Sequence, residues 1–172
     1  TAARGPRTVA LYQSDHDVRS AMIRSLQDWW CANAQDGLPD RAHFQPADFK
    51  HMLPFMLISD VEHTPFRIRY RLVGTRVVAA TGLDVTGMYL DTLEPVGEEE
   101  PWMEDYALSY QNRRPVVGTT TTRTASGLRF EYEFGIFPLA KGGQRVEQFI
   151  GIEDYFEFAH LFHELEEWRV RV

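Results

Sequence analysis

The segment Phe66–Gly82 constrains this chain more than any other. Phe66, Ile68, Tyr70 and Leu72 alternate strictly with Arg67, Arg69 and Arg71. In an extended chain successive side chains point to opposite faces, so the spacing predicts a strand with one apolar and one basic face. Gly74-Thr75 breaks the alternation, Val77, Val78 and Thr81 follow at helical spacing, and Gly82 is placed to stop the helix. A strand feeding directly into a short helix predicts a sheet with small helices folded over one face.

The rest of the chain supplies elements of the same kind. Residues 1–14 read as an arm without strong periodicity, in which Thr8–Tyr12 could dock on another element. Asp15 or Asp17 is suited to cap a helix running to about Gln35, with Val18, Met22, Leu26 and Trp29 or Trp30 as its apolar stripe. Adjacent tryptophans cannot both lie at the centre of that stripe, so one belongs on its edge. Gly37 is placed to end the helix, Pro46–Met52 reads as a short helix closed by Leu53-Pro54, and Phe55–Glu62 is strand-prone. Beyond Gly82, the acidic run Glu98–Glu100 precedes a helix from Pro101 to Arg114, where negative charge favours the helix dipole. Val116–Thr124, Leu128–Ile136 and Arg145–Tyr155 are three further strands, with Gly142-Gly143 as a hairpin signal. Phe158, Leu161, Phe162, Leu165 and Trp168 trace a last amphipathic helix. Two strands, a helical crossover and three strands make an α+β arrangement with a five-stranded antiparallel sheet.

Composition bounds the function. At 172 residues the chain is expected to form one domain with helical extensions. A net charge of −7 argues against a general binder of nucleic acid or anionic membrane. No apolar run approaches the roughly 20 residues of a membrane span, and the first residues lack a signal peptide's apolar core, so the cytoplasm is the expected compartment. The single cysteine, Cys31, excludes an internal disulfide or a multi-cysteine zinc site, and beside Trp29-Trp30 it reads as a buried, inert thiol.

The order of elements resembles the PAS domain, and the motifs resemble most closely a largely uncharacterised, often single-domain PAS subfamily of alphaproteobacteria. The residues that carry the resemblance are Trp29-Trp30, Gly37-Leu38-Pro39-Asp40-Arg41, Pro46-Ala47-Asp48-Phe49, Leu53-Pro54, Tyr70–Thr75, Gly82 with Asp84, Thr86-Gly87, Phe137-Pro138-Leu139 and Gly142-Gly143. The resemblance implies a PAS core over residues 54–155, an N-terminal arm and flanking helices over 1–53, and a C-terminal helix over 156–172. It also implies a sensory or interaction module that signals through those helices and often dimerises. The strand 66–72 would then lie at one edge of the sheet, beside Phe55–Glu62.

The same resemblance makes several chemistries checkable. Flavin photosensors of this fold use a cysteine between the second strand and the longer helix, and residues 75–93 contain none. Haem-binding members use a histidine of the central helix, and Pro101–Arg114 contains none, which leaves His51 and His63 either as haem ligands of another arrangement or, the commoner reading, as solvated turn residues. His160 and His163 on the last helix read as solvated rather than metal-bound, and Glu98–Glu100 lacks a calcium loop's pattern. No nucleophile elbow, phosphate-binding glycine loop or zinc-protease motif is present, so no catalytic residue is assigned. Trp102, Tyr106 and Tyr110 recur at four-residue steps, opposite Tyr70, Leu72, Phe130, Tyr132 and Phe134 of the sheet. Such a set is either plain core or an aromatic ligand cavity with phenols as polar handles. Arg71 is the arginine chosen as buried or ligand-contacting, and Asp60 and Glu62 are expected opposite two of the three arginines. Met22, Leu26, Trp29, Trp30, Phe162 and Leu165 are the candidate dimer or partner residues. The expected function is a sensory or regulatory module for a small molecule, a protein partner or a homodimer. A small-molecule enzyme with an unrecognised site and a structural interaction domain are the alternatives.

Overall fold

The computed structural model describes residues 8–11, 18–34, 37–93, 102–123 and 129–156. Six strands form one antiparallel sheet: β1 (Thr8–Leu11), β2 (Met56–His63), β3 (Phe66–Val73), β4 (Val116–Arg123), β5 (Arg129–Leu139) and β6 (Gln148–Asp154). Their spatial order is β1-β4-β5-β6-β2-β3. The three α-helices are α1 (Ala21–Asn33), α2 (Thr75–Thr81) and α3 (Trp102–Asn112), with short 3-10 turns at 41–43, 46–49, 53–55 and 90–92. The sheet has six strands rather than five because the arm contributes β1, which pairs with β4 through Thr8↔Thr119 to Leu11↔Val116. Gly118 permits that pairing, since a Cβ there would run into the Thr8 carbonyl.

Both sheet faces are covered, and strand parity sorts the core between them. On β5, Phe130, Tyr132, Phe134 and Ile136 join the inner cluster beneath α2 and α3, while Phe137 and Leu139 join the outer cluster beneath α1. On β6, Phe149 faces in, and Ile150 and Ile152 face out. Ile23, Leu26 and Trp30 seal the outer side, and the Trp30 indole donates to the Pro138 carbonyl at 2.8 Å. Trp29 takes the edge position, meeting Phe44 at 5.4 Å and Phe49 at 6.0 Å edge-on. Burying α1 on the sheet leaves its first amides needing acceptors. Glu133, itself buried, accepts from the Arg19 and Ser20 amides at 3.1 and 2.6 Å. The Ser20 hydroxyl caps the Ile23 amide and donates to Asp154. Ser20 is therefore the cap of this helix, while Asp15 and Asp17 lie outside the described residues. The helix also ends early, at Asn33 with Ala34 as its C-cap, so Gly37 (φ 129°) belongs to the following turn.

The basic strand is the edge strand β3, and its arginines stand in register with the acids of β2: Glu62↔Arg67 and Asp60↔Arg69. Arg71 reaches Asp60 at 3.3 Å. The arginines also seat the loop that follows α2. Arg67 makes two bonds to Asp91 and stacks 3.7 Å from the Tyr89 ring, whose hydroxyl donates to Glu62. Two expectations for this strand change. The pairing runs Ile58↔Leu72 and then Ser59↔Tyr70, so Arg71 is an extra residue, a bulge. That one-residue slip turns Leu72 to the outer face with Ile58, where it is 48% exposed instead of packing under the helices. Arg71 is likewise solvent-facing, its side chain 58% exposed, and not buried.

Cys31 is exposed rather than buried, because it lies one helical step past Trp30, turned away from the stripe of Ile23, Leu26 and Trp30 that meets the sheet. The C-terminal stretch, with Phe162, Leu165, His160 and His163, and the acidic run Glu98–Glu100 lie outside the described residues. Among the described residues no helix is long and apolar enough to cross a membrane.

Gly74 provides a sharp test of this packing. It opens α2 with an ordinary backbone φ of −65°, yet a Cβ there would strike the Leu53 and Pro54 carbonyls. Gly74→Ala is expected to lower stability by about 1–3 kcal/mol through overpacking, measured by urea unfolding. An unchanged midpoint would contradict the close approach.

Candidate functional site

Helix α3 crosses the inner sheet face diagonally, and its aromatic stripe touches one strand after another. Trp102 meets Phe134 of β5 at 4.7 Å, Tyr106 meets Phe149 of β6 at 5.0 Å, and Tyr110 meets Phe66 of β3 at 4.9 Å. Four-residue spacing keeps the three rings on one side of the helix. Tyr70, Phe130 and Tyr132 lie on the same inner face, and Phe130 and Tyr132 both approach Tyr155, at 5.8 and 5.3 Å. The structure thus gathers seven of the eight expected ligand residues: Tyr70, Trp102, Tyr106, Tyr110, Phe130, Tyr132 and Phe134. Arg71 is the exception, held on the opposite face by the Asp60 carboxylate.

Polar groups that sequence reading passed over stand among these rings. Ser59 is wholly buried, and its Oγ makes no well-formed hydrogen bond. It nevertheless lies close enough to the Tyr106 phenol to favour that phenol's ionised form slightly. Glu153 stands opposite Phe134, so it faces the same core, and its carboxylate accepts from the Tyr155 hydroxyl. Gly151 lies on the same face of β6, where a Cβ would stand in ordinary contact, 3.8 Å from the Tyr106 hydroxyl oxygen. The signal that would have found these residues is parity. Leu57, Ser59 and Val61, like Phe149, Gly151 and Glu153, repeat at two-residue steps. Burial pushes the Tyr106 phenol up to about 12, with Glu153 and Asp105 adding negative charge nearby and the Ser59 and Tyr70 hydroxyls opposing. Tyr106 is therefore a neutral hydroxyl at any physiological pH.

The far end of α3 is tied down by a second polar chain. His63 sits 3.0 Å from the Tyr110 hydroxyl through Nδ1 and 3.1 Å from Glu147 through Nε2. Glu147 also accepts from Arg145 at 2.7 Å. Burial acts to raise the Glu147 carboxyl, but the His63 and Arg145 hydrogen bonds and charges outweigh it and hold it below the usual carboxylate range. His63 is thus a partnered, half-buried residue rather than a solvated one, whereas His51 is exposed. Among the described residues no three His, Cys, Asp or Glu side chains come together as a metal site would require.

Of the candidate partner residues, Leu26 and Trp30 are consumed by the chain's own outer core, and Met22 and Trp29 are half-buried at its margin. The described residues do not include Phe162 and Leu165.

Comparison with known proteins agrees with this architecture. The PAS domain family model matches residues 18–153, so the chain belongs to the PAS domain family. No curated protein matches it. Among solved structures it is similar to an RNA-binding Light-Oxygen-Voltage receptor, with a TM-score of 0.52 and 14% identity over 98% of this chain. It spans 44% of that receptor's chain. It is also similar to a Light-Oxygen-Voltage domain studied with a flavin analogue, with a TM-score of 0.50 and 18% identity over 72% of this chain and 93% of that one. At these identities the likeness is one of fold. The segment 75–93 has no cysteine, and Cys31 lies on α1, across the sheet from α2 and α3.

The raised phenol has a consequence for stability. Tyr106 holds its proton more tightly folded than unfolded, so its contribution is complete below about pH 10, the ordinary phenol value, and is lost as pH rises toward 12. Wild-type stability is expected to fall more steeply between pH 10 and 12 than that of Tyr106→Phe, followed by denaturant unfolding at each pH. Parallel curves would refute the assignment.

Proposed function

We propose that this protein is a sensory or regulatory PAS module that takes a small molecule between α3 and the sheet and passes the event to its flanking helices. The observation that carries the reading is Ser59 Oγ, a fully buried hydroxyl without a well-formed hydrogen bond, set beside the Tyr106 phenol. Leaving a buried donor unsatisfied costs about 1–3 kcal/mol, and a bound ligand removes that cost. Glu153 and Tyr155 supply further polar handles among aromatic walls, the usual make-up of a small-molecule site. The reading is of a binding module without catalysis. It requires neither a flavin–cysteine adduct nor a haem on the central helix.

A route to the surface accompanies the site. Glu153 points into the inner core and its neighbour Asp154 points out, where it accepts from Ser20 at 2.7 Å. Glu133, opposite Asp154, holds the Arg19 and Ser20 amides that lead into α1. A shift of the end of β6 on binding would therefore change the hold on α1, through which the domain would act on a protein partner or second copy.

Two experiments test the proposal. Native mass spectrometry of the purified chain, with thermal-shift screening of metabolites, is expected to find a compound that raises Tm in the wild type and less so in Ser59→Val. A chain that binds nothing and is stabilised by nothing would overturn the reading, and turnover of the compound would overturn its non-catalytic part. Separately, Asp154→Asn is expected to speed hydrogen exchange of amides 23–26 by about tenfold, or ~1.4 kcal/mol, with little change at Phe149–Gly151. Equal change at both places would indicate general destabilisation and no specific route.

A further inference from the structure

Two margins of the sheet border the inner face, and they are held very differently. At the β3 margin, Tyr70 exchanges backbone bonds with Gly87 and Met88 at 2.7 and 3.0 Å. There Arg67 also binds Asp91 and stacks on Tyr89, and Tyr110 is fastened by Phe66 and His63. The opposite margin is β1, four residues paired with β4 alone. None of its side chains is buried: Thr8 and Ala10 are exposed, and Val9 and Leu11 lean half-buried on the inner cluster. A short segment with one strand neighbour and little apolar contact belongs to the part of a fold that opens first.

The strand register ties this segment to the aromatic site. Val9, Gly118, Phe134 and Glu153 form one lateral row across β1, β4, β5 and β6. Gly118 brings no side chain to that row, and the Phe134 ring takes the place of one: a Cβ on Gly118 would stand 2.9 Å from its Cζ. The tip of Phe134 therefore lies over β4, toward Val9, while Trp102 of α3 packs on the same ring edge-on. Helix α3 itself runs close to β1. With β1 lifted, the space between α3 and β4 opens onto the Trp102–Phe134 pair.

We infer, on the small-molecule reading above, that β1 is the gate of the inner site. Small molecules pass between α3 and β4 when the strand leaves its seat at Gly118, and its return closes Val9 and Leu11 against the inner cluster.

The test uses the full chain and needs no known ligand. In a Cys31→Ser background, Ser59→Cys supplies one buried thiol on the inner face, and methyl methanethiosulfonate is the probe. Thr8→Cys with Thr119→Cys pins β1 by a disulfide, since Cα partners on antiparallel strands lie within disulfide range. Leu11→Asp loosens the strand instead. Labelling at position 59, followed by intact mass, is expected to be at least about tenfold slower in the pinned chain, a difference of ~1.4 kcal/mol. In Leu11→Asp it is expected to be faster by about the same factor. Hydrogen exchange of the Phe149–Gly151 amides is expected to stay unchanged in Leu11→Asp and in the pinned chain. Labelling indifferent to Leu11→Asp, or to a pinned strand, would place the entrance elsewhere and overturn the gate. Labelling that changes in step with the Phe149–Gly151 amides would report global unfolding and overturn it equally. A strand-dependent rate in a chain that binds no metabolite would leave the opening standing and sink the small-molecule reading alone.

Discussion

Glu133 against the Arg19 and Ser20 amides, just ahead of α1, is the contact on which the two-sided sheet depends. A strand buried on both faces has nowhere to place a carboxylate unless hydrogen-bond donors meet it. Arg19 and the N-cap Ser20 provide two backbone N–H groups beside the positive end of the α1 dipole, and the Ser20 hydroxyl links the same point to Asp154. The exchange is reciprocal: the helix end obtains acceptors, and the acid obtains donors. With α1 fixed there, Ile23, Leu26 and Trp30 close the outer face, and β5 is buried from Tyr132 onward.

The inner face follows a different logic. Its covering helix is held by rings, with Trp102, Tyr106 and Tyr110 each above a different strand. Hydroxyls and the Glu153 carboxylate are admitted among these rings, around Ser59 and Tyr106. Because residues 153 and 154 face opposite ways on one strand, the two faces are mechanically adjacent although chemically separate.

Several of the motifs prove to touch one another. Asp40 accepts from the Ala42 and Gly142 amides, and these two bonds hold its carboxyl below the usual range while joining the turn after α1 to the β5–β6 connection. Leu53-Pro54 lies against Gly74. Short sequence patterns far apart in the chain are thus the two halves of single contacts, which explains why their order and spacing point to one fold.

The sequence by itself determined five of the described strands, the described helices to within a few residues and, apart from Leu72, which strand side chains share a face, because those depend on the local periods of two and 3.6 residues. It foresaw the acid–arginine register of β2 and β3 and the side of α3 that meets the sheet. Only the tertiary structure decided that Arg71 forms a bulge and turns Leu72 outward, that β1 completes the sheet, and that Cys31 faces solvent. Tertiary structure also brought Ser59 and Glu153 to the α3 aromatics. Parity tells which residues are neighbours on a strand. Which face is covered, and by what, depends on elements scores of residues away, and a local period carries no record of them.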